Sequence, residues 1–275
     1  MERHGVSFNK GYGQNFLVNE AVPRRIAAEC GAGPSDGIFE IGPGIGTLTA
    51  ELSKVARRVV SVEIDGGLIP VLSETLSDAG NVKIINADVM KLDLAPLIES
   101  EFPGMRVHVC ANLPYYITTP ILMSLIECGA DFAGITVMVQ KEVAERLASK
   151  PGDAAYGAVT ASVSRYGTVS RLFSVSAGSF LPAPKVDSAV IKITPYAVRP
   201  YAVRDEKTLS RVIRGAFAQR RKTLLNSLSS EFSELTKDDI SAVLTGAGLD
   251  PAVRGERLGI QEFAAVSDGI SEVLK

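Results

Sequence analysis

Asn112-Leu113-Pro114-Tyr115 brings a side-chain amide, a backbone carbonyl held by the following proline and an aromatic ring into one short segment. Those groups suit a planar base that carries an exocyclic amine. The amine nitrogen of adenine is a poor nucleophile, because its lone pair is delocalised into the ring. The Asn112 amide oxygen and the Leu113 carbonyl could accept its two N–H bonds and favour a tetrahedral, reactive nitrogen. The face of Tyr115 could stack on the base. Taken alone, the same residues also describe a turn that ends a strand over a buried tyrosine, so the reading depends on the rest of the chain.

Positioning those groups requires a particular frame. The apolar run Val107-His108-Val109-Cys110-Ala111, stopped by Pro114, reads as a buried strand ending in a sharp turn. Asn112 would then stand at the carboxyl edge of a sheet, where open α/β folds bind ligands. Strand-like and helix-like segments alternate from about residue 36 to residue 150, with strands over 37–41, 58–63, 82–86, 106–111 and 135–139. Helices are expected over 47–57 and 68–76. This alternation predicts an α/β fold, a mostly parallel sheet with helices on both faces. The strictly alternating 187–193 adds a further strand, antiparallel at the edge. Pro195 and Pro200 bracket a linker, and only helical patterns follow, at about 205–219, 220–230, 236–247 and 261–274. The expected organisation is thus a domain over 1–195 and a small C-terminal helical domain over 201–275.

A second constellation lies upstream. Gly42-Pro43-Gly44-Ile45-Gly46-Thr47 follows the first strand and opens the first helix. The spacing is Gly-x-Gly-x-Gly, whereas a dinucleotide fingerprint would place its third glycine at position 47. No Gly-Lys-Ser/Thr follows, so it is not a P-loop. Glu63 closes the second strand, where such folds set a carboxylate on ribose hydroxyls. Asp88 ends the third strand and could accept from an adenine amine, although an acid there can equally cap a helix. A phosphate-free nucleoside cofactor beside an amine-gripping turn points to S-adenosyl-L-methionine.

Composition narrows the field further. At 275 residues, 46% hydrophobic and 22% charged, the chain is an ordinary globular protein with no membrane-length apolar run and no signal-peptide core. A cytoplasmic location and no membrane partner are expected. Cys30, Cys110 and Cys128 show no paired spacing, which argues against disulfides and structural zinc. His4 lies in a polar tail and His108 in an apolar strand, so the chemistry is expected to proceed without a catalytic histidine. Net charge is −2, giving no global case for nucleic acid. Locally, Arg211, Arg214, Arg220, Arg221 and Lys222 fall in a stretch, 211–230, that holds no acid. A solvated helix face is the commoner fate of such a run, but the missing acids favour phosphate contacts.

These motifs together resemble a class I (Rossmann-like) S-adenosylmethionine-dependent methyltransferase, and more narrowly the KsgA-type ribosomal RNA adenine N6,N6-dimethyltransferases. The resemblance runs nearly end to end. It includes Gly13-Gln14-Asn15-Phe16-Leu17, Glu40 to Thr49, Glu63-Ile64-Asp65, Asn86-Ala87-Asp88 and Asn112 to Tyr116. It continues through Phe180-Leu181-Pro182-Ala183-Pro184-Lys185-Val186-Asp187-Ser188 and Phe217 to Asn226. The resemblance implies a cofactor site at Asn15, Leu17, Gly42, Gly44, Glu63, Asp88 and Asn112. It implies catalytic roles for Asn112, Leu113 and Tyr115, with Phe180 supplying another aromatic to the target base. The implied substrate is a pair of adjacent adenosines in the hairpin near the 3′ end of small-subunit (16S) ribosomal RNA, each dimethylated on an assembling subunit. A monomer without metal is expected. The competing readings are a large-subunit resistance methyltransferase, a DNA adenine methyltransferase, a non-catalytic assembly factor on this scaffold, and a nicotinamide oxidoreductase. The Phe180 loop and Arg254-Gly255-Glu256-Arg257-Leu258 favour the small-subunit enzyme. Intact Gly42, Glu63 and Asn112 oppose the non-catalytic factor.

Overall fold

The computed structural model describes residues 14–219 and 221–275. The chain divides into two compact units, one holding residues up to Ala144 with Val169–Pro195, the other Glu145–Thr168 with Tyr196–Lys275.

In the first unit a two-residue strand, β1 (Phe16–Leu17), and helix α1 (Ala21–Glu29) lead into the sheet. Strand and helix then alternate as β2 (Gly37–Ile41), α2 (Thr47–Leu52), β3 (Arg58–Glu63), α3 (Ile69–Thr75), β4 (Val82–Asn86) and α4 (Leu94–Glu101). The alternation continues through β5 (Val107–Asn112), α5 (Thr118–Glu127), β6 (Phe132–Gln140) and α6 (Lys141–Leu147). After α7 (Ala158–Val163), which belongs to the second unit, come β7 (Gly167–Val175), β8 (Phe180–Leu181) and β9 (Ser188–Pro195). The main sheet has the order β4-β3-β2-β5-β6-β9-β7. Its first five strands are parallel neighbours, and β9 runs antiparallel to β6 with Gln140 opposite Ser188. This is the expected mostly parallel α/β sheet with one reversed strand, but β9 is interior because β7 pairs outside it. The chain reverses direction at β2, leaving β3 and β5 on either side, and ligands bind at such a switch point.

The near-continuous apolar character of β2, β3 and β5 reflects burial on both faces. Leu48 and Leu52 of α2 and Val22 and Ile26 of α1 pack with Ile38, Val59, Cys110 and Val190 of the sheet. Phe16 packs separately with Leu68, Leu72 and Leu76. Helix α2 ends at Leu52, short of the expected Arg57, because Asn81 donates to the carbonyls of Ser53 and Ala56 and draws that segment into a turn.

The second unit contains α7, α8 (Glu206–Ala218), α9 (Leu224–Glu231), α10 (Lys237–Gly246) and α11 (Ile260–Val273). Its core joins Leu209, Val212 and Ile213 to Leu228, Phe232, Leu244, Phe263 and Val266, together with Tyr156 and Ala161 from the earlier segment. Thr236 accepts from the Asp239 N–H while Asp239 accepts from the Thr236 N–H, a capping box with aspartate in the usual glutamate place. Among the described residues no helix is long and apolar enough to cross a membrane.

Candidate active site

A cleft of about 1060 Å³, open solvent at its mouth included, lies along the carboxyl ends of β2, β3 and β5 and the residues that follow β4. It brings together Asn15, Leu17, Gly42, Gly44, Glu63, Asp88, Asn112, Leu113 and Tyr115. Its wall also contains Phe16, Met90 and Tyr116.

The glycine loop supplies bare backbone. Gly42 and Gly44 have φ of +68° and +60°, where a side chain is strained. Among the described residues nothing lies within 4 Å of the place a Gly42 Cβ would take, so that space is open to a ligand. A Cβ at Gly44 would stand 3.1 Å from the Phe16 ring. Glu63 ties this loop to β3: Oε2 accepts the Gly44 N–H at 3.1 Å and Oε1 the Asp65 N–H at 2.9 Å. Burial raises its pKa, and these two N–H donors partly offset the effect. Each oxygen keeps a lone pair for an outside donor. Asp88 fills both roles left open by its sequence. It lines the cleft, and its Oδ1 accepts the Met90 N–H at 3.0 Å, capping a short 3₁₀ turn over Val89–Lys91.

The turn after β5 has most of its polar groups committed. Asn112 Nδ2 donates to the Asn15 carbonyl at 3.3 Å, which leaves its Oδ1 as the outward acceptor. Leu113 N–H donates to the Met138 carbonyl at 3.1 Å. The Pro114 carbonyl accepts from Thr118 Oγ1 at 3.0 Å and from the Ile117 N–H at 3.2 Å. Among the described residues nothing donates to the Leu113 carbonyl. The turn therefore offers two acceptors, one from a side chain and one from the backbone, beside Tyr115. The Tyr115 hydroxyl is 2.6 Å from Ser188 Oγ, and its half-burial raises its pKa.

A family model described as "Ribosomal RNA adenine dimethylase" matches residues 5–264. The chain belongs to the ribosomal RNA adenine dimethylase family. "Ribosomal RNA small subunit methyltransferase A" of Shouchella clausii is 47% identical over 277 residues, covering all of this chain and 94% of its own. The protein of the same name from Bacillus cereus is 45% identical, covering 98% of this chain and 94% of its own. Among solved structures, a dimethyladenosine transferase from Plasmodium falciparum superposes with a TM-score of 0.74 at 26% identity, covering 91% of this chain and 95% of its own. The 23S rRNA methyltransferase ErmE gives 0.70 at 25% identity, covering 94% and 100%. The fold is that of the class I methyltransferases, which implies use of S-adenosylmethionine. The bare glycine backbone, the buried Glu63 with spare lone pairs and the open space at Gly42 fit a nucleoside of that kind.

In this dimethylase two expectations need correction. Phe180 does not line the cleft. It is 3% exposed, pairs through β8 with Leu17, and packs with Leu17, Val22, Phe173 and Val175. As one of the large side chains in that apolar cluster it is held where its burial is greatest, and the exposed aromatic on the cleft wall is Tyr116, 61% exposed. Arg211 and Arg214 do have acidic partners. Glu231 lies one residue beyond the acid-free stretch, and it takes Arg214 at 2.6 Å, while Glu234 takes Arg211 at 2.9 Å. Arg211 also sits 4.2 Å over the Phe232 ring. Arg221 and Lys222 are exposed and have no acidic partner among the described residues. Arg220, Gly13 and His4 lie outside the described residues. His108 is buried near Asp36, away from the cleft wall, and burial lowers its pKa.

Glu40, which opens the glycine motif, is also absent from the wall. It is wholly buried and accepts from Ser61 Oγ at 2.6 Å. Burial pushes its pKa from 4.5 to about 7, with the Ser61 hydrogen bond opposing the rise. An acid whose folded pKa is raised contributes stability below its unfolded value, and that contribution is lost as pH rises through the folded value. Here the window is 4.5 to about 7. The size of the shift corresponds to about 3 kcal/mol. Glu40→Gln is expected to raise the melting temperature of the cofactor-free protein at about pH 8, with the advantage shrinking towards about pH 5. Calorimetric scans across that range check it, and an advantage independent of pH would place the cause elsewhere.

Proposed function

We propose that this protein transfers methyl groups from S-adenosylmethionine to N6 of two adjacent adenosines in the 3′-terminal hairpin of small-subunit ribosomal RNA, dimethylating each. The observation that carries this reading is the pairing of Asn112 Nδ2 with the Asn15 carbonyl beside an unengaged Leu113 carbonyl. Together they turn two acceptors, the Asn112 Oδ1 and the Leu113 carbonyl, towards an entering amine. Full-length relatives named for the small subunit favour that substrate over the large-subunit alternative.

When bound, the cofactor supplies an activated methyl group on a sulfonium. The chain's own residues do the positioning. Glu63 accepts the ribose hydroxyls, Asp88 and the glycine loop hold the nucleoside, and Asn15 and Leu17 close the wall. Asn112 and the Leu113 carbonyl orient the amine, and Tyr115 stacks on a base turned out of the RNA. Fixed acceptors need no reorganisation as positive charge develops on nitrogen, so positioning and electrostatics supply most of the rate. The proton leaves to solvent, and no histidine is required. Residues 201–275 serve as the RNA- and subunit-contacting domain, the protein acts as a monomer, and no metal takes part in the reaction. Labelled cofactor incubated with undermethylated small subunits, with large subunits and DNA in parallel, tests the reading. N6,N6-dimethyladenosine in small subunits alone is expected. Label in large subunits would favour the resistance enzyme, and binding without label the assembly factor.

Arg221 and Lys222, without an acidic partner among the described residues, carry the RNA-contact proposal more strongly than the ion-paired Arg211 and Arg214. Reversing Arg221 and Lys222 to Glu is expected to weaken subunit binding and flatten its salt dependence, whereas Arg214→Ala should change binding little. Titrations at several salt concentrations check this, and equal effects would remove the distinction.

A further inference from the structure

We infer that Ser188 is a positioning residue for methyl transfer, acting through Tyr115; this deepens the methyl-transfer reading and rests on it. The segment around Phe180 was expected to bring an aromatic to the base. Instead, Phe180 faces the apolar core. What this segment presents to the site is the Ser188 hydroxyl, 2.6 Å from the Tyr115 hydroxyl.

Ser188 is fully buried at the start of β9, and its register is fixed opposite Gln140 of β6. Asp187 next to it is held twice, through its carbonyl by the Lys141 N–H at 2.9 Å and through Oδ1 by the Ala177 N–H at 3.0 Å. A hydroxyl on so constrained a backbone has little freedom of its own. Tyr115, in contrast, sits on a turn rather than in a strand, and its ring forms part of the cleft wall. A half-buried phenol hydroxyl needs a hydrogen-bond partner in any case, and the partner here is one whose own position is fixed. A buried hydroxyl at hydrogen-bond distance from the phenol oxygen fixes both the tilt and the depth of the ring.

The same segment also braces the opposite wall. Phe180 and Leu181 pair in register with Leu17 and Phe16, which line the cofactor side. Residues 180–188 therefore hold the cofactor wall at one end and the base-stacking ring at the other. The distance between methyl donor and acceptor amine is set in part by this one segment, which itself contributes no residue to the cleft wall.

Ser188→Ala and Tyr115→Phe remove the same hydrogen bond from its two ends. With undermethylated small subunits as substrate, each is expected to lower kcat roughly tenfold while leaving the dissociation constant for S-adenosylmethionine unchanged. The double variant should be no slower than the slower single one. Wild-type kcat in both single variants would overturn the role. Losses that track the folded fraction at the assay temperature, or that multiply in the double variant, would overturn it as well. Tyr115→Phe keeps the ring and its packing, so it still decides the matter if Ser188→Ala folds poorly. A wild-type protein inactive on small subunits would instead defeat the methyl-transfer reading itself.

Discussion

Asn112→Ala is expected to abolish methyl transfer, with kcat falling by about a thousandfold, while cofactor binding remains measurable. Removing one preorganised acceptor or donor at a reacting centre costs about 10²–10³ in kcat. Here the loss should lie at the upper end, because Asn112 has two jobs. Its oxygen would accept from the amine, and its Nδ2 fixes the Asn15 carbonyl on the cleft wall. Asn112→Asp separates them. A carboxylate can still accept, but it repels the Asn15 carbonyl that Nδ2 had held, so partial activity with weakened cofactor binding is expected. Single-turnover transfer and calorimetry measure the two effects. Near-native turnover in Asn112→Ala would remove the residue from the reacting centre.

Glu63→Ala is expected to weaken the cofactor by about 10- to 100-fold with a smaller effect on turnover at saturation. Hydrogen bonds to a charged acceptor contribute about 1.5–3 kcal/mol. Glu63 also supplies the acceptor for the Gly44 and Asp65 N–H groups, so the alanine variant should melt lower as well. Glu63→Gln keeps the shape and one acceptor oxygen, and intermediate affinity is expected. Because burial raises the Glu63 pKa, affinity should begin to fall on acidification at a higher pH than for an ordinary glutamate. Titrations of cofactor into each variant check both claims. An unchanged dissociation constant in Glu63→Ala would take it out of the ribose site.

The parts of the site legible in the sequence are those where one residue and its neighbours decide the outcome. Gly42 and Gly44 announce a backbone that must turn and lie bare, and Glu63 and Asp88 each close an apolar run, so both acids could be placed at strand ends. The strands β2, β3 and β4 matched the expected 37–41, 58–63 and 82–86; in β2 and β3 burial on both faces leaves a run of apolar residues with sharp limits, while β4 is a half-exposed edge strand. What escaped was set by contacts remote in the chain. The Tyr115–Ser188 and Asn112–Asn15 pairs join segments that carry no local mark of each other. The outer strand β7 was missed because its alternation is interrupted by Arg171 and Ser170, which face solvent at the sheet margin. Phe180 was misplaced because an aromatic in a proline-rich loop looks alike whether it faces a ligand or a core. The acid-free basic run ended one residue too soon, at Ser230, just before Glu231.

The pairing of β1 with β8 has a consequence for biosynthesis. Phe16 and Leu17 emerge from the ribosome early, but their sheet partners among the described residues, Leu181 and Phe180, emerge much later. The strand β9 must then enter between β6 and β7, both already made. Pairings so distant along the chain are slow to form, because the loop must close before any contact rewards it. A nascent chain that has shown only its glycine loop and Glu63 thus holds half a binding site. Full competence to capture the methyl donor arrives late, because a fragment released before Phe180 would lack the strand that pairs with Phe16 and Leu17 of the cleft wall.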